Sequence, residues 1–159
     1  MKAPGFDLEA VDGKRYSPVT ARGDKGLLVM FLCNHCPYVK RVIDGIVRDT
    51  NALAQLGIGS IAVMSNDPTD YPEDSFDNMR RVARDKAFPF PYVIDETQQV
   101  ARAYGTVCTP EFFGFDSALE LRYHGRFDEL FKAMKQIAET GAGPKEQIPS
   151  MGCSIKWKK

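Results

Sequence analysis

Two hydrophobic rhythms alternate along the chain. Gly26–Leu32, GLLVMFL, is a continuous apolar run of strand length, the pattern of a strand covered on both faces. From Pro37 onward the spacing changes, and Val39, Val42, Ile43, Ile46, Val47 and Leu53 recur at threes and fours, as on one face of a helix. GIGSIAVMSN then reads as a second buried strand and DPTDYPED as a Pro/Asp loop. A helix follows from about Ser75 to Lys86, capped by Asp74 or Ser75, with Phe76, Met79, Val82 and Ala83 on its inner face. FPYVIDE is a third strand, TQQVARAYG a short helix stopped by Gly105, and EFFGFDSALELRYHG two strands joined near Asp116 and Ser117. Leu130, Phe131, Met134 and Ile137 place a last helix over Phe127–Glu139. At the start, GFDLEAVDGKRYS holds two short alternating runs around Asp12-Gly13 and predicts a hairpin.

The order β-α-β-α-β-α-β-β-α predicts parallel strands with helical crossovers that end in an antiparallel hairpin. It is the order of a thioredoxin-like α/β three-layer sandwich: a mixed sheet with central parallel strands, a C-terminal antiparallel hairpin, and helices on both faces. The expected domain covers 1–140. The Gly/Pro-rich segment 141–159 is expected to be a tail on or near it, anchored by Ile155 and Trp157.

Composition narrows the function classes. With 159 residues, 43% of them hydrophobic, the chain can bury a core without cross-links. Lys+Arg and Asp+Glu both number 21, and the C-terminal KWKK is the one dense basic patch, which argues against nucleic acid or an anionic membrane as partner. MKAPGFDLEA has no apolar core of a signal peptide, and no apolar run reaches membrane-spanning length. A soluble, cytoplasmic protein is the expectation. Thiols stay reduced there, so four cysteines point to catalysis, metal binding or inert packing before structural disulfides.

FLCNHCPYVK concentrates the chemistry. Cys33 ends the first buried strand, and Cys36 is expected in the first turn of the following helix, with Pro37 where a missing N–H costs nothing. A helix N-terminus favours thiolate over thiol, and His35 adds a cationic group to the loop. Two sulfurs three residues apart can form and resolve a mixed disulfide. A zinc site wants a second ligand pair, whereas Cys108 and Cys153 stand alone. Zinc binding, partner binding without turnover, and inert cysteines therefore rank below thiol exchange.

The second informative stretch is VCTPEFF, where Thr109-Pro110 enters a strand pattern at its start. A CxxC on a strand-to-helix turn followed by this late Thr-Pro resembles the thioredoxin superfamily. More closely, PGFDLEAVDGKRYS, LLVMFLCNHCPYVK, SNDPTDYPEDS, FPYVIDETQQVARAYG, CTPEFFGFD and GCSIKWK resemble the redoxin proteins of the alkyl hydroperoxide reductase/thiol-specific antioxidant family. The resemblance implies a cis Thr109–Pro110 bond lying against the cysteines and a backbone edge free to pair with a substrate peptide.

That family covers two chemistries. Peroxiredoxins resemble this strand and helix with a proline, a Thr or Ser and a peroxidatic cysteine at the positions of Val29, Cys33 and Cys36. Two of the three differ here, so a thiol peroxidase using Cys36 is the second reading. The first is a thiol-disulfide oxidoreductase of antioxidant or redox-homeostasis type, with Cys33, nearer the surface, as nucleophile and Cys36 as resolving thiol. Asn34-His35 resembles the DsbA-type loop, and Thr109 and Pro110 complete the site. Leu27 stands where thioredoxin has a buried aspartate, so another group or water must relay the proton to Cys36; Glu111 is either that relay or a solvated hairpin carboxylate. Cys108 is either an accessory thiol or a packing residue, Cys153 either a mobile thiol that reaches the site or a free one, and His124 a surface or packing residue. The resemblance implies no cofactor and no metal. The implied partner is a protein or small-molecule disulfide or thiol, with a thioredoxin or glutathione system as reductant.

Overall fold

A computed structural model describes residues 1–159. In chain order the elements are β1 (Leu8–Glu9), β2 (Arg15–Tyr16), α1 (Pro18–Ala21), β3 (Gly26–Phe31), α2 (Pro37–Gln55), β4 (Ile58–Met64), α3 (Phe76–Asp85), β5 (Tyr92–Ile94), α4 (Gln99–Tyr104), β6 (Cys108–Thr109), β7 (Glu111–Asp116), β8 (Leu121–Gly125), α5 (Leu130–Thr140) and β9 (Cys153–Ser154). The central sheet runs β5-β4-β3-β7-β8. β3 pairs in parallel with β4, and β4 with β5, while β7 lies antiparallel to both β3 and β8. β1 and β2 form the expected N-terminal hairpin. No helix is long and apolar enough to cross a membrane.

β3 shows why the continuous apolar run was needed. Its residues alternate between two cores, Leu28 and Met30 packing with α2 and α5 on one face, Leu27, Val29 and Phe31 with α4 on the other. On the first face Val39, Ile43, Ile46 and Leu53 of α2 meet Leu130, Met134 and Ile137 of α5. On the second, Tyr104 of α4 packs edge-on against Phe31 and Phe113. The sandwich thus holds the β3–α2 junction, with its cysteines, between two fixed layers.

Of the two expected caps of α3 it is Ser75 that serves, accepting from the Asn78 N–H at 3.2 Å, while Asp74 is turned into the interior; two other local expectations change. The last helix starts at Leu130, three residues late, because Phe127 closes a separate turn through its carbonyl and the Leu130 N–H. β6 and β9 pair with each other and were not foreseen; two residues are too few to carry a period.

Asp95, 1% exposed, ties β5 to α4. Its carboxylate accepts from Ser65 Oγ at 2.8 Å, Val100 N at 3.2 Å and Ala101 N at 2.9 Å. Asp95→Ala strands these buried donors, and we expect a loss of about 3 kcal/mol, read as a Tm lower by roughly 6–12 °C in a thermal melt.

Candidate functional site

Cys36 is the N-cap of α2, one position earlier than expected, and Pro37 opens the helix behind it. Cys33 lies on the extended segment that leaves β3. Both sulfurs are enclosed, with exposures of 3% for Cys33 and 0% for Cys36. Cys33 is the slightly more exposed of the two, as expected, but both are buried, because the loop between them folds inward against Asp74.

The two thiols differ in their preference for charge. Burial raises Cys33 to about 12, against the Thr109 hydroxyl 3.3 Å away, and the negative charges of Asp74 and Cys36 add to the rise. Burial opposes a thiolate at Cys36 too, but there it is outweighed. The Cys153 thiol and the amides of Val39, Cys153 and Tyr38 hold Cys36 below the ordinary thiol range. No full side-chain cap closes at this helix end, so the amides act on the sulfur chiefly as dipoles. The surroundings thus favour charge on Cys36 and disfavour it on Cys33, the cysteine expected to be the nucleophile.

Asp74, one of two candidate helix caps in the sequence, is the residue that organises the loop. It is fully buried. Its Oδ1 accepts the Asn34 N–H at 2.7 Å, and its Oδ2 meets His35 Nδ1 at 2.5 Å and accepts from Asn66 Nδ2 at 3.0 Å. His35 stacks on Tyr71, with 4.7 Å between ring centres. Asn34 is fixed at its other end by the Tyr92 hydroxyl, 2.8 Å from Oδ1. Donor atoms of Cys33, His35 and Asp74 lie within 4.8 Å of one another, types that zinc accepts. A mainly apolar cavity of about 270 Å³, lined by Leu32, Val39, Ile43, Phe88 and Tyr92, flanks Cys33.

The Thr109–Pro110 peptide is cis. Thr109 touches both cysteines, its hydroxyl at Cys33 and its carbonyl 3.6 Å from the Cys36 sulfur. The edge expected to stand free for a substrate is occupied: β9 pairs with β6, Thr109 opposite Cys153 and Cys108 opposite Ser154. Gly152 permits the approach, since a Cβ there would lie 1.9 Å from the Thr109 oxygen. Cys153 is accordingly docked beside Cys36 instead of swinging in a loose tail.

Glu111 does not reach toward Cys36. Its carboxylate is taken by Thr106 Oγ1, by His124 Nε2 at 2.6 Å and by the Cys108 thiol at 3.9 Å. Burial works against its charge, but His124 and Thr106 prevail and hold it low. Cys108, half-buried, is pushed up to about 11 by burial and by Glu111. His124 also stacks on Phe113 at 4.2 Å, in keeping with a packing residue.

This arrangement, two unlike thiols at the head of a helix on a five-stranded mixed sheet, can be set beside known proteins. The model of the AhpC/TSA family matches residues 1–124. The chain belongs to the AhpC/TSA family. As a member of this redoxin family, with a thioredoxin-like fold, it is an oxidoreductase by class. Among solved structures it is similar to an uncharacterized conserved protein from Geobacillus kaustophilus, with 40% identity, a TM-score of 0.95, and coverage of 99% of this chain and 91% of that one. A hypothetical protein from Sinorhizobium meliloti is 30% identical at a TM-score of 0.95, with 99% and 93% of the two chains covered. A thiol:disulfide interchange protein from Chlorobium tepidum shares the fold at 19% identity and a TM-score of 0.70, over 87% of this chain and 94% of that one. No curated protein matches the chain.

Proposed function

We propose that this redoxin is a thiol-disulfide oxidoreductase in which Cys36 is the attacking sulfur and Cys33 the resolving one. The observation that carries the reading is the unlike pair: a Cys36 whose surroundings favour charge beside a Cys33 whose burial disfavours it, in a loop that also holds the His35–Asp74 pair. The Cys36 thiolate attacks a partner disulfide, forming a Cys36–partner bond and releasing the first partner thiolate. Cys33 then gives its proton to the His35–Asp74 couple and attacks Cys36 Sγ. The second partner thiolate leaves and a Cys33–Cys36 disulfide remains. Two electrons have passed to the partner, and a thioredoxin- or glutathione-type thiol returns them by the reverse route. Because both sulfurs are enclosed, the partner meets Cys36 when the two-residue β9 pairing opens, and the apolar cavity beside Cys33 receives the body of a small partner.

The thiol peroxidase reading also uses the Cys36 thiolate, so the substrate separates the two. In stopped flow, we expect Cys33→Ser to react with a small disulfide at Cys36 and release its first thiol, while hydrogen peroxide consumes Cys36 at least about 100-fold more slowly. Peroxide reacting faster than the disulfide, in wild type and in Cys33→Ser but not in Cys36→Ser, would overturn the exchange reading.

A further inference from the structure

The buried pair touches the outside through a third thiol. Cys153 is half-buried, sits on the β6–β9 ladder opposite Thr109, whose carbonyl lies 3.6 Å from the Cys36 sulfur, and packs against the core cluster that holds Cys36. Its position is set from both sides. Upstream, Gly152 lies flat on the Thr109 carbonyl, and Ser150 Oγ donates to the Gly125 carbonyl at 2.8 Å. Downstream, the Ile155 N–H reaches the Val107 carbonyl at 2.9 Å and Ile155 is 3% exposed. Lys156 N donates to Asn66 Oδ1 at 2.9 Å, and Arg102 stacks over Trp157 at 4.4 Å. Asn66 in turn holds Asp74, so the tail is hydrogen-bonded into the same network that orders the cysteine loop.

We propose that Cys153 is a working thiol of the cycle, exchanging with Cys33 for Cys36 and carrying the disulfide from the buried pair to the half-exposed Cys36–Cys153 position. The inference rests on the exchange reading above. On the oxidised protein the Cys153 thiolate attacks Cys36 Sγ, the Cys36–Cys153 bond forms, and the Cys33–Cys36 bond breaks. Cys33 leaves as thiolate and takes up the proton that Cys153 lost. No electrons enter or leave, so this step needs no oxidant beyond the partner disulfide that made Cys33–Cys36. The timing is built in. Cys153 is kept protonated by burial and by the hydrogen bond and charge of Cys36. Once Cys36 is in a disulfide, that charge is gone, and the neighbouring Lys156 favours the Cys153 thiolate. A reductant then needs to reach only the outer sulfur.

The test is disulfide mapping by mass spectrometry after reaction of the full chain with oxidised glutathione. In Cys33→Ser, we expect glutathione first to occupy Cys36 and then to be expelled by Cys153, so that Cys36–Cys153 becomes the main species and alkylation of Cys153 falls at least tenfold. In the double variant Cys33→Ser/Cys153→Ser the glutathione adduct on Cys36 persists. In wild type both Cys33–Cys36 and Cys36–Cys153 are found. Cys33→Ser that keeps glutathione on Cys36 with Cys153 freely alkylated, in a preparation whose wild type forms Cys33–Cys36, overturns the role of Cys153 and leaves the exchange reading standing. No disulfide on Cys36 in any variant overturns both.

Discussion

Cys36→Ser is expected to abolish thiol-disulfide exchange, lowering turnover of a small disulfide substrate on the order of 10³-fold or more, because it removes the one sulfur whose surroundings favour the thiolate. Serine is smaller and hydrogen-bonds the same Thr109 carbonyl, so the fold should survive, as circular dichroism will check. Cys33→Ser should behave differently: it still makes the first exchange at Cys36 but cannot close the Cys33–Cys36 disulfide. The pH dependence separates the two thiols further. The Cys153 thiol and the nearby amides outweigh burial and lower the Cys36 pKa from the ordinary thiol value, so the thiolate persists to lower pH than in an unperturbed cysteine. The rate of Cys36 alkylation, followed site by site by mass spectrometry, should therefore stay level down to that lowered value and fall only beneath it. Cys33, raised to about 12 by burial, should remain unreactive across the same range. A Cys36 that titrates as an ordinary thiol, with Cys33 alkylated first, would restore the roles that surface position alone had suggested.

The strands and helices were legible because each carries many residues of one period. Gly26–Leu32 is buried from Gly26 through Cys33, and the threes and fours after Pro37 place Val39, Ile43, Ile46 and Leu53 in one core. The cysteine pair and Thr109-Pro110 were legible as chemistry at a strand-to-helix turn and at a strand start. What could not be read were the contacts that set their roles. Local grammar makes either Asp74 or Ser75 an N-cap, since both precede an apolar helical period, and only the tertiary fold turns Asp74 against Asn34 and His35. The same holds for β9, whose two residues have no pattern and whose pairing depends on Gly152 fitting under Thr109. The relative acidity of two cysteines depends on burial and on partners distant in sequence, Asp74 for one and Cys153 for the other. Glu111 illustrates the converse error: its position beside Pro110 suggested a relay, but β7 directs it toward Thr106, His124 and Cys108.

Asp74→Asn should expose the part played by that buried carboxylate. The asparagine oxygen can keep the Asn34 N–H, but its NH₂ must then face Asn66 Nδ2, which is also a donor, and a stability loss of about 2 kcal/mol is expected. The effect on chemistry is larger. Without the carboxylate the couple loses its proton acceptor for Cys33, and closure of the Cys33–Cys36 disulfide from a preformed Cys36 mixed disulfide should slow by about 100-fold. The pH profile gives a readout that damage to the fold would not produce. After burial and the Thr109 hydroxyl, the Asp74 charge is the next influence on Cys33, and it raises the pKa. Its removal moves that pKa down, so the alkaline rise in closure should begin at lower pH even though the plateau is lower. Release of the second thiol equivalent from the mixed disulfide, measured across pH in wild type and variant, reads both quantities together. Closure at wild-type speed with an unmoved profile, in a variant that is merely less stable, would confine Asp74 to holding the loop.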